Sequence, residues 1–496
     1  MPCTTILVGK NASYNGSTMV ARNDDSPSGV FHVKKMVVVK PNEQPRIYRS
    51  KISHVTVELP NKALRYTLMP NVDKKEGIWG AAGINSCNVA MSATETITSN
   101  PRVLGADPYV EYSPKTKTKK ECIGGIGEED LVAIVLPYIH TAREGVLRLG
   151  ELLERYGTYE PNGIAFNDSQ EVWWLETIGG HHWIAKKVPD DRCVIMPNQF
   201  GMDEFDLIDA FGNTIAYGEK RENLCSKDLK EFVEKNHLYL GKDEKAFNPR
   251  LAFGSHDDSD HIYNTPRAWY MGRYLCPKAI RWEGDNRDYS PESDDIPWSL
   301  IPENKITVED VKYLLSSHYQ GTEFDPYLKG ESDKKNIYRS IGVNRTSFMA
   351  LLEIRNGLPE KIAALEWVCF GSNVFNALVP LYANVDKIPA YFGNTTLRVS
   401  TDNFYWSSRL IGALSDSHFQ KNAIHIERYQ NAVANQAHAL LHHFDELFLA
   451  KNDIALLSQA NEDISKMAKE ETDRVLNCVL FESSMLMKNA FARSDN

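Results

Sequence analysis

Positive charge is in short supply: 56 Lys and Arg stand against 66 Asp and Glu, leaving a net charge of -10. That balance argues against a nucleic-acid surface. The one basic cluster, Lys115-Thr-Lys-Thr-Lys-Lys120, lies in polar surroundings and reads as a solvated loop. No apolar run approaches the roughly 20 residues of a membrane span. The start of the chain has neither the basic n-region nor the apolar h-region of a secretory signal, so no membrane partner is expected. Cysteines number 8 in 496 residues, scattered and without CxxC spacing, which excludes a disulfide scaffold and points to reduced thiols in the cytoplasm. There is no GxxxxGK[ST], no strand–GxGxxG–helix unit and no HExxH. Phosphate-loop, dinucleotide and zincin chemistry therefore find no footing, and no cofactor and no metal site is expected. Internal repeats, low-complexity tracts and Pro/Gly/Ser linkers are missing as well.

What is present is an ordinary globular composition, 42% hydrophobic and 25% charged, long enough for more than one domain. Short apolar runs at Met36–Lys40, Val55–Leu59, Leu64–Leu68 and Val89–Glu95 read as strands. Residues 128–156 switch to helical spacing: Thr141-Ala-Arg-Glu144 forms a capping-box pattern, and Val146, Leu149, Leu152, Leu153 and Tyr156 follow at steps of three and four. A meander follows, over Gly163–Phe166, Glu171–Glu176, His181–Val188 and Cys193–Met196, which delivers Asn198 to a strand end. Between 202 and 300 the pattern weakens, apart from a helix predicted from Pro266 through the aromatic run Ala268–Arg273. Ala364–Phe370 and Asn376–Tyr382 return the chain to the core. Beyond them, Ile426, Tyr429, Val433, Leu440, Phe444 and Leu447, then Leu457, Ala460, Ile464, Met467, Val475 and Val479, predict a helical hairpin turning at Lys451–Asp453. Strands, helices and strands again without βαβ alternation argue for antiparallel sheets with helices against them.

Two histidine-rich stretches invite a metal reading. Ser255-His-Asp-Asp-Ser-Asp-His261 matches no zinc or EF-hand template and reads as an exposed acidic loop. His438 and His442 share a helix face but lack a third ligand, so they read as surface or packing histidines.

The first twenty-five residues, MPCTTILVGKNASYNGSTMVARNDD, carry the functional reading. A strand run opens at Thr4, Asn15-Gly16 signals a tight hairpin turn, and a return run from Ser17 to Arg22 ends in Arg22-Asn-Asp-Asp25. If Met1 and Pro2 are removed, Cys3 carries both a thiol, with a pKa of about 8.5, and an α-amine at about 7.7–8.0. Nucleophile and base then sit on one residue. The returning strand brings Arg22 toward the sulfur, where a guanidinium favours thiolate, and Asp25 toward the amine. The bland counterpart is a buried cysteine beside a hairpin-closing ion pair worth little.

This opening resembles the cysteine dipeptidases of the dipeptidase A family, N-terminal-nucleophile hydrolases related more distantly to penicillin V acylase, bile salt hydrolase and the secernins. The similarity continues through GINSCNVAMSATET, ETIGGHHWIAKKVPDD, VIMPNQF and LEWVCFGSNVFNALVPLY, and so spans residues 3 to about 400. The resemblance implies an α+β fold, a four-layer αββα sandwich. Residues 1–2 would be a leader, 3–400 the peptidase domain and 401–496 a helical extension suited to a contact between copies. It implies Cys3 as nucleophile and base, Arg22 and Asp25 beside thiol and amine, Asn198 in the oxyanion hole, and Arg267 as the late active-site arginine, with Arg273 its competitor. Counted without gaps from Asn85, the second oxyanion asparagine of the acylases falls on Glu95, and a carboxylate there repels an oxyanion. Glu95 is instead expected to bind a substrate α-ammonium, and Arg267 the carboxylate, of a dipeptide. The alternatives are an acylase of non-peptide amides and a non-catalytic, secernin-like interaction protein.

Overall fold

The computed structural model describes residues 3–212, 221–241 and 243–488, with the side chains of Thr94 and Glu95 also outside the description. Thr4–Val8 (β1) and Thr18–Asp25 (β2) are buried along their whole length, as expected of apolar runs covered on both faces. They lie inside a seven-stranded antiparallel sheet. Its order is Ser299–Leu300, Cys193–Met196, β1, β2, Thr346–Ile354, Ala364–Phe370 and Val379–Tyr382. A second, six-stranded antiparallel sheet runs Asn223–Cys225, His182–Lys187, Val172–Ile178, Gly163–Asn167, Ala90–Glu95 and Ala82–Ile84. The expected α+β class with antiparallel sheets is what the chain forms.

β2 touches Ala90–Glu95, Gly163–Asn167 and Val172–Ile178 of the other sheet. Leu7 and Val20 share a buried cluster with Trp174 and Ile184 there. The helices Glu128–Val135 and Ala142–Tyr156 cover the six-stranded sheet, with Leu131, Ile134, Val146 and Leu149 packed on Phe166 and Trp173. The Thr141 side chain caps the second of these helices by accepting from the Glu144 amide at 3.1 Å. The Glu144 carboxylate reaches back one residue further than a capping box requires, to the His140 amide at 2.7 Å.

The C-terminal hairpin consists of Phe419–Lys451 and Ala455–Met485, turning at Asn452 in a left-handed conformation. It is fastened to the seven-stranded sheet. Asn461 exchanges hydrogen bonds with the Tyr382 backbone at 2.8 and 3.0 Å, and Arg355 pairs with Asp445 at 2.5 Å.

Two expectations are corrected. Asn15-Gly16 does not make a two-residue turn: β1 and β2 are joined by residues 9–17, and β2 runs on to Asp25. Gly16 does take the left-handed φ of 77° that its sequence suggests. The longer loop is anchored instead on the turn at Pro189–Asp191, where a Cβ on Gly9 would stand 2.5 Å from the Asp190 carbonyl oxygen. The second correction concerns Cys193–Met196, which does not complete the meander. It leaves the six-stranded sheet and pairs with β1, with Thr5 opposite Met196.

A buried carboxyl lies on the sheet-to-sheet path. Glu366 is fully buried, accepts from Thr67 Oγ1 at 2.5 Å, and its Oε1 meets no partner among the described residues. Burial pushes its pKa up to about 7. Below about pH 4.5 both folded and unfolded chains hold this proton; between there and 7 only the unfolded chain gives it up, so stability falls through that window. Glu366→Gln is therefore expected to be more stable than wild type at pH 8, on the order of 3 kcal/mol, with the gap closing at pH 4. Urea unfolding at the two pH values checks this.

Candidate active site

Two ladders meet at Cys3. β1 pairs with β2 so that Thr4 faces Asn23, and with Cys193–Met196 so that Thr5 faces Met196. Continued past the end of β1, these registers set Asp24 and Asn198 on either side of Cys3. Alternation along β2 gives Arg22 and Asp24 one face and Asn23 and Asp25 the other. Cys3 itself is fully buried.

On the first face, Arg22 Nη2 stands 3.0 Å from Cys3 Sγ, 3.0 Å from Asp24 and 2.8 Å from Glu128. Its Nη1 donates to the Ala81 carbonyl at 3.3 Å. Lys34, also buried, pairs with Asp24 at 3.3 Å and donates to the Trp79 carbonyl at 2.9 Å. The two carbonyl acceptors come from strained backbone: Trp79 and Ala81 hold left-handed φ of 51° and 54°. Burial alone would lower the Arg22 pKa, but Cys3, Glu128 and Asp24 outweigh it and hold the guanidinium above its ordinary range. Asp24 is driven the other way: burial raises it, yet Lys34 and Arg22 keep it below the usual carboxylate value. Lys34 ends up lowered, because burial exceeds the help of Asp24 and Glu128.

Glu128 opens the helix Glu128–Val135, and its own amide donates to Glu160 at 2.6 Å. Burial and the nearby Glu128 push Glu160 up to about 7. Burial, with Glu129 beside it, raises Asp130 well above its ordinary range.

The other arm of the site is Arg267, completely buried in the first turn of the helix Thr265–Leu275. A guanidinium has five N–H groups, and all five are committed. Nε donates to the Tyr263 carbonyl at 2.7 Å, and Nη1 to the Cys3 carbonyl and to Thr4 Oγ1. Nη2 donates to Asn198 Oδ1 at 2.8 Å and Asn264 Oδ1 at 2.7 Å. Cys3 and Asn198 thus sit on neighbouring nitrogens of one guanidinium. Holding Oδ1 turns the Asn198 amide nitrogen away from Arg267, and Nδ2 donates to the Thr96 carbonyl at 3.0 Å. With every donor used, Arg267 has none for the substrate carboxylate expected of it. Arg273, its sequence competitor, points outward to Glu283 at 2.7 Å.

Asp25 faces away from Arg22, and its hydrogen bonds go to Arg339 and to Thr346 Oγ1, the latter at 2.6 Å. The Glu95 side chain lies outside the described residues, although its backbone pairs with Gly163. The stretch 255–261 is not merely an exposed acidic loop. Asp260 is buried and accepts from Asn264, which in turn holds Arg267 and the Asn198 carbonyl. His438 pairs with Glu309 at 2.6 Å and His442 lies 3.7 Å from Glu446. Sequence reasoning missed Glu128, Lys34 and Asn264. The run Glu128-Glu-Asp130 at the head of an apolar stretch was the available signal for the first.

The chain matches the model of peptidase family C69 over residues 2–432. It is 52% identical to a dipeptidase of Bifidobacterium longum across the full length of both chains. Against a probable dipeptidase A of Streptococcus pyogenes it is 51% identical, again over both whole chains. It is 39% identical to dipeptidase A of Lactobacillus helveticus, covering 98% of this chain and 97% of that one. A buried thiol held by a charged network thus belongs to a peptidase. The chain is a member of peptidase family C69.

Arg22 meets four acceptors, three on Nη2 and the Ala81 carbonyl on Nη1, a spread over two nitrogens that a compact lysine ammonium cannot reproduce. Arg22→Lys is expected to slow iodoacetamide labelling of Cys3 at pH 7 about tenfold, with the loss recovered as pH rises. Mass spectrometry of the Cys3 peptide gives the rate.

Proposed function

We propose that the chain is a dipeptidase in which Cys3, freed of Met1 and Pro2, is both nucleophile and base. The fold in this reading is the four-layer αββα arrangement of N-terminal-nucleophile hydrolases, with residues 3–400 forming the peptidase domain and 401–496 its helical extension. The observation that carries it is the Arg22 guanidinium 3.0 Å from Cys3 Sγ, with Asn198 fixed on the other side through Arg267. The relatives' names supply the substrate class.

Charge supports the same reading. Arg22 and Lys34 balance Asp24 and Glu128, so a thiolate needs one more cation. A freed α-ammonium on the same residue provides it.

The thiolate attacks the scissile carbonyl, forming a C–S bond while the carbonyl oxygen takes the negative charge. Asn198 Nδ2 and backbone N–H groups hold that oxyanion. Collapse breaks the C–N bond, and the Cys3 ammonium gives its proton to the leaving amino acid. The resulting neutral amine takes a proton from water, whose hydroxide cleaves the thioester and regenerates the thiolate. Arg267 is a positioning residue for Asn198 and the Cys3 carbonyl, and Asp25 with Arg339 fixes the end of β2. Glu95 remains the proposed acceptor of the substrate α-ammonium. None of the eight cysteines is in a disulfide, in keeping with a reduced cytoplasm, and among the described residues no helix is long and apolar enough to cross a membrane.

The test is Leu-Leu hydrolysis together with N-terminal sequencing of the active protein. The expected result is a chain beginning at Cys3, inactivated by iodoacetamide and unaffected by EDTA, with Cys3→Ala at least about a thousandfold slower. Penicillin V hydrolysis without dipeptide hydrolysis would favour the acylase reading instead. An intact Pro2 on an inert protein would favour the interaction-protein reading.

A further inference from the structure

A free dipeptide differs from an internal peptide bond in carrying a carboxylate about one residue, roughly 3.8 Å, beyond the scissile carbonyl. A site confined to dipeptides needs a cation at that place, and Arg267 has no N–H left for it. Its buried neighbours already face carboxylates of the chain: Arg22 is paired with Asp24 and Glu128, and Arg339 with Asp25.

We propose that Arg345 binds the C-terminal carboxylate of the substrate and is the residue that restricts the enzyme to dipeptides. This rests on the dipeptidase reading above and deepens it. Arg345 directly precedes the strand Thr346–Ile354, and its carbonyl accepts from the Ser26 amide at 3.1 Å, just past the end of β2. Its side chain is partly exposed. Nη2 donates to the Tyr263 hydroxyl at 2.7 Å, while Nε is buried and meets no hydrogen-bond partner among the described residues. No carboxylate pairs with it among those residues, although a guanidinium is shaped to take one in a two-pronged grip.

Tyr263 ties Arg345 to the reacting centre. The Tyr263 carbonyl accepts from Arg267 at 2.7 Å, and its ring lies 5.3 Å from the Arg267 guanidinium carbon and 4.9 Å from that of Arg339. Three guanidiniums therefore surround one residue, Tyr263, whose carbonyl is tied through Arg267 to the Cys3 carbonyl and Asn198. Asp25 answers the charge of Arg339, and the partly exposed Arg345 is left to meet an anionic ligand. Asp260, four residues before Asn264, is turned to Asn264 and Ser255.

The experiment compares Leu-Leu with its C-terminal amide, which keeps the scissile bond and loses the charge. Arg345→Gln is expected to raise KM for Leu-Leu about 10- to 100-fold, the size of a lost charge-assisted pair, and KM for the amide less than threefold. Arg345→Lys, which keeps the charge without the fork, should fall between and also covers the case of an insoluble glutamine variant. Equal changes for both substrates in either soluble variant, or none, overturn the assignment while leaving the dipeptidase reading intact. A wild-type protein that hydrolyses neither compound overturns the dipeptidase reading, and this assignment with it.

Discussion

The contact between the Arg22 guanidinium and the Cys3 sulfur is the constraint around which the site is arranged. A buried arginine is tolerable only if its donors are met by acceptors and its charge by carboxylates. Asp24 and Glu128 meet the charge and, with the Ala81 carbonyl, take the two terminal nitrogens; each comes from a different part of the chain. Asp24 is on β2 itself, Glu128 opens a helix on the opposite sheet, and Ala81 sits in a strained segment leading into that sheet. Placing one cation beneath the thiol thus joins the two sheets and employs the left-handed residue Ala81, while Lys34 takes the carbonyl of left-handed Trp79.

Arg267 does for geometry what Arg22 does for charge. It arrives from a helix far along the chain and spends every donor on fixing neighbours: the Cys3 carbonyl, Thr4, Asn198, Asn264 and the Tyr263 carbonyl. A side chain so committed is scaffolding for the reacting atoms. In the proposed reading, recognition of the substrate ends falls to other groups, Arg345 and Glu95.

Local patterns made some of this legible. β1, the Thr141 cap and the hairpin stripes follow from short-range periodicity, and the returning strand was enough to bring Arg22 toward Cys3. Alternation along β2, applied to the same residues, pairs Asp24 with Arg22 on one face and leaves Asp25 on the other. The switch of Cys193–Met196 to the other sheet was not readable, because strand partners are chosen by long-range packing. Yet that switch brings Asn198 opposite Cys3. Glu128, 106 residues from Arg22, and Arg345, marked by no motif, emerge only when the chain is folded.

The central claim is that bond cleavage passes through a thioester on Cys3, with the residue's own amine moving the protons. Rapid acid quenching of enzyme mixed with Leu-Leu, followed by mass spectrometry of the N-terminal peptide, tests this most directly. The account predicts that Cys3 gains the mass of one leucyl group, stoichiometric with an initial burst of released leucine. Steady turnover with no burst and no adduct on Cys3 at any quench time would contradict it.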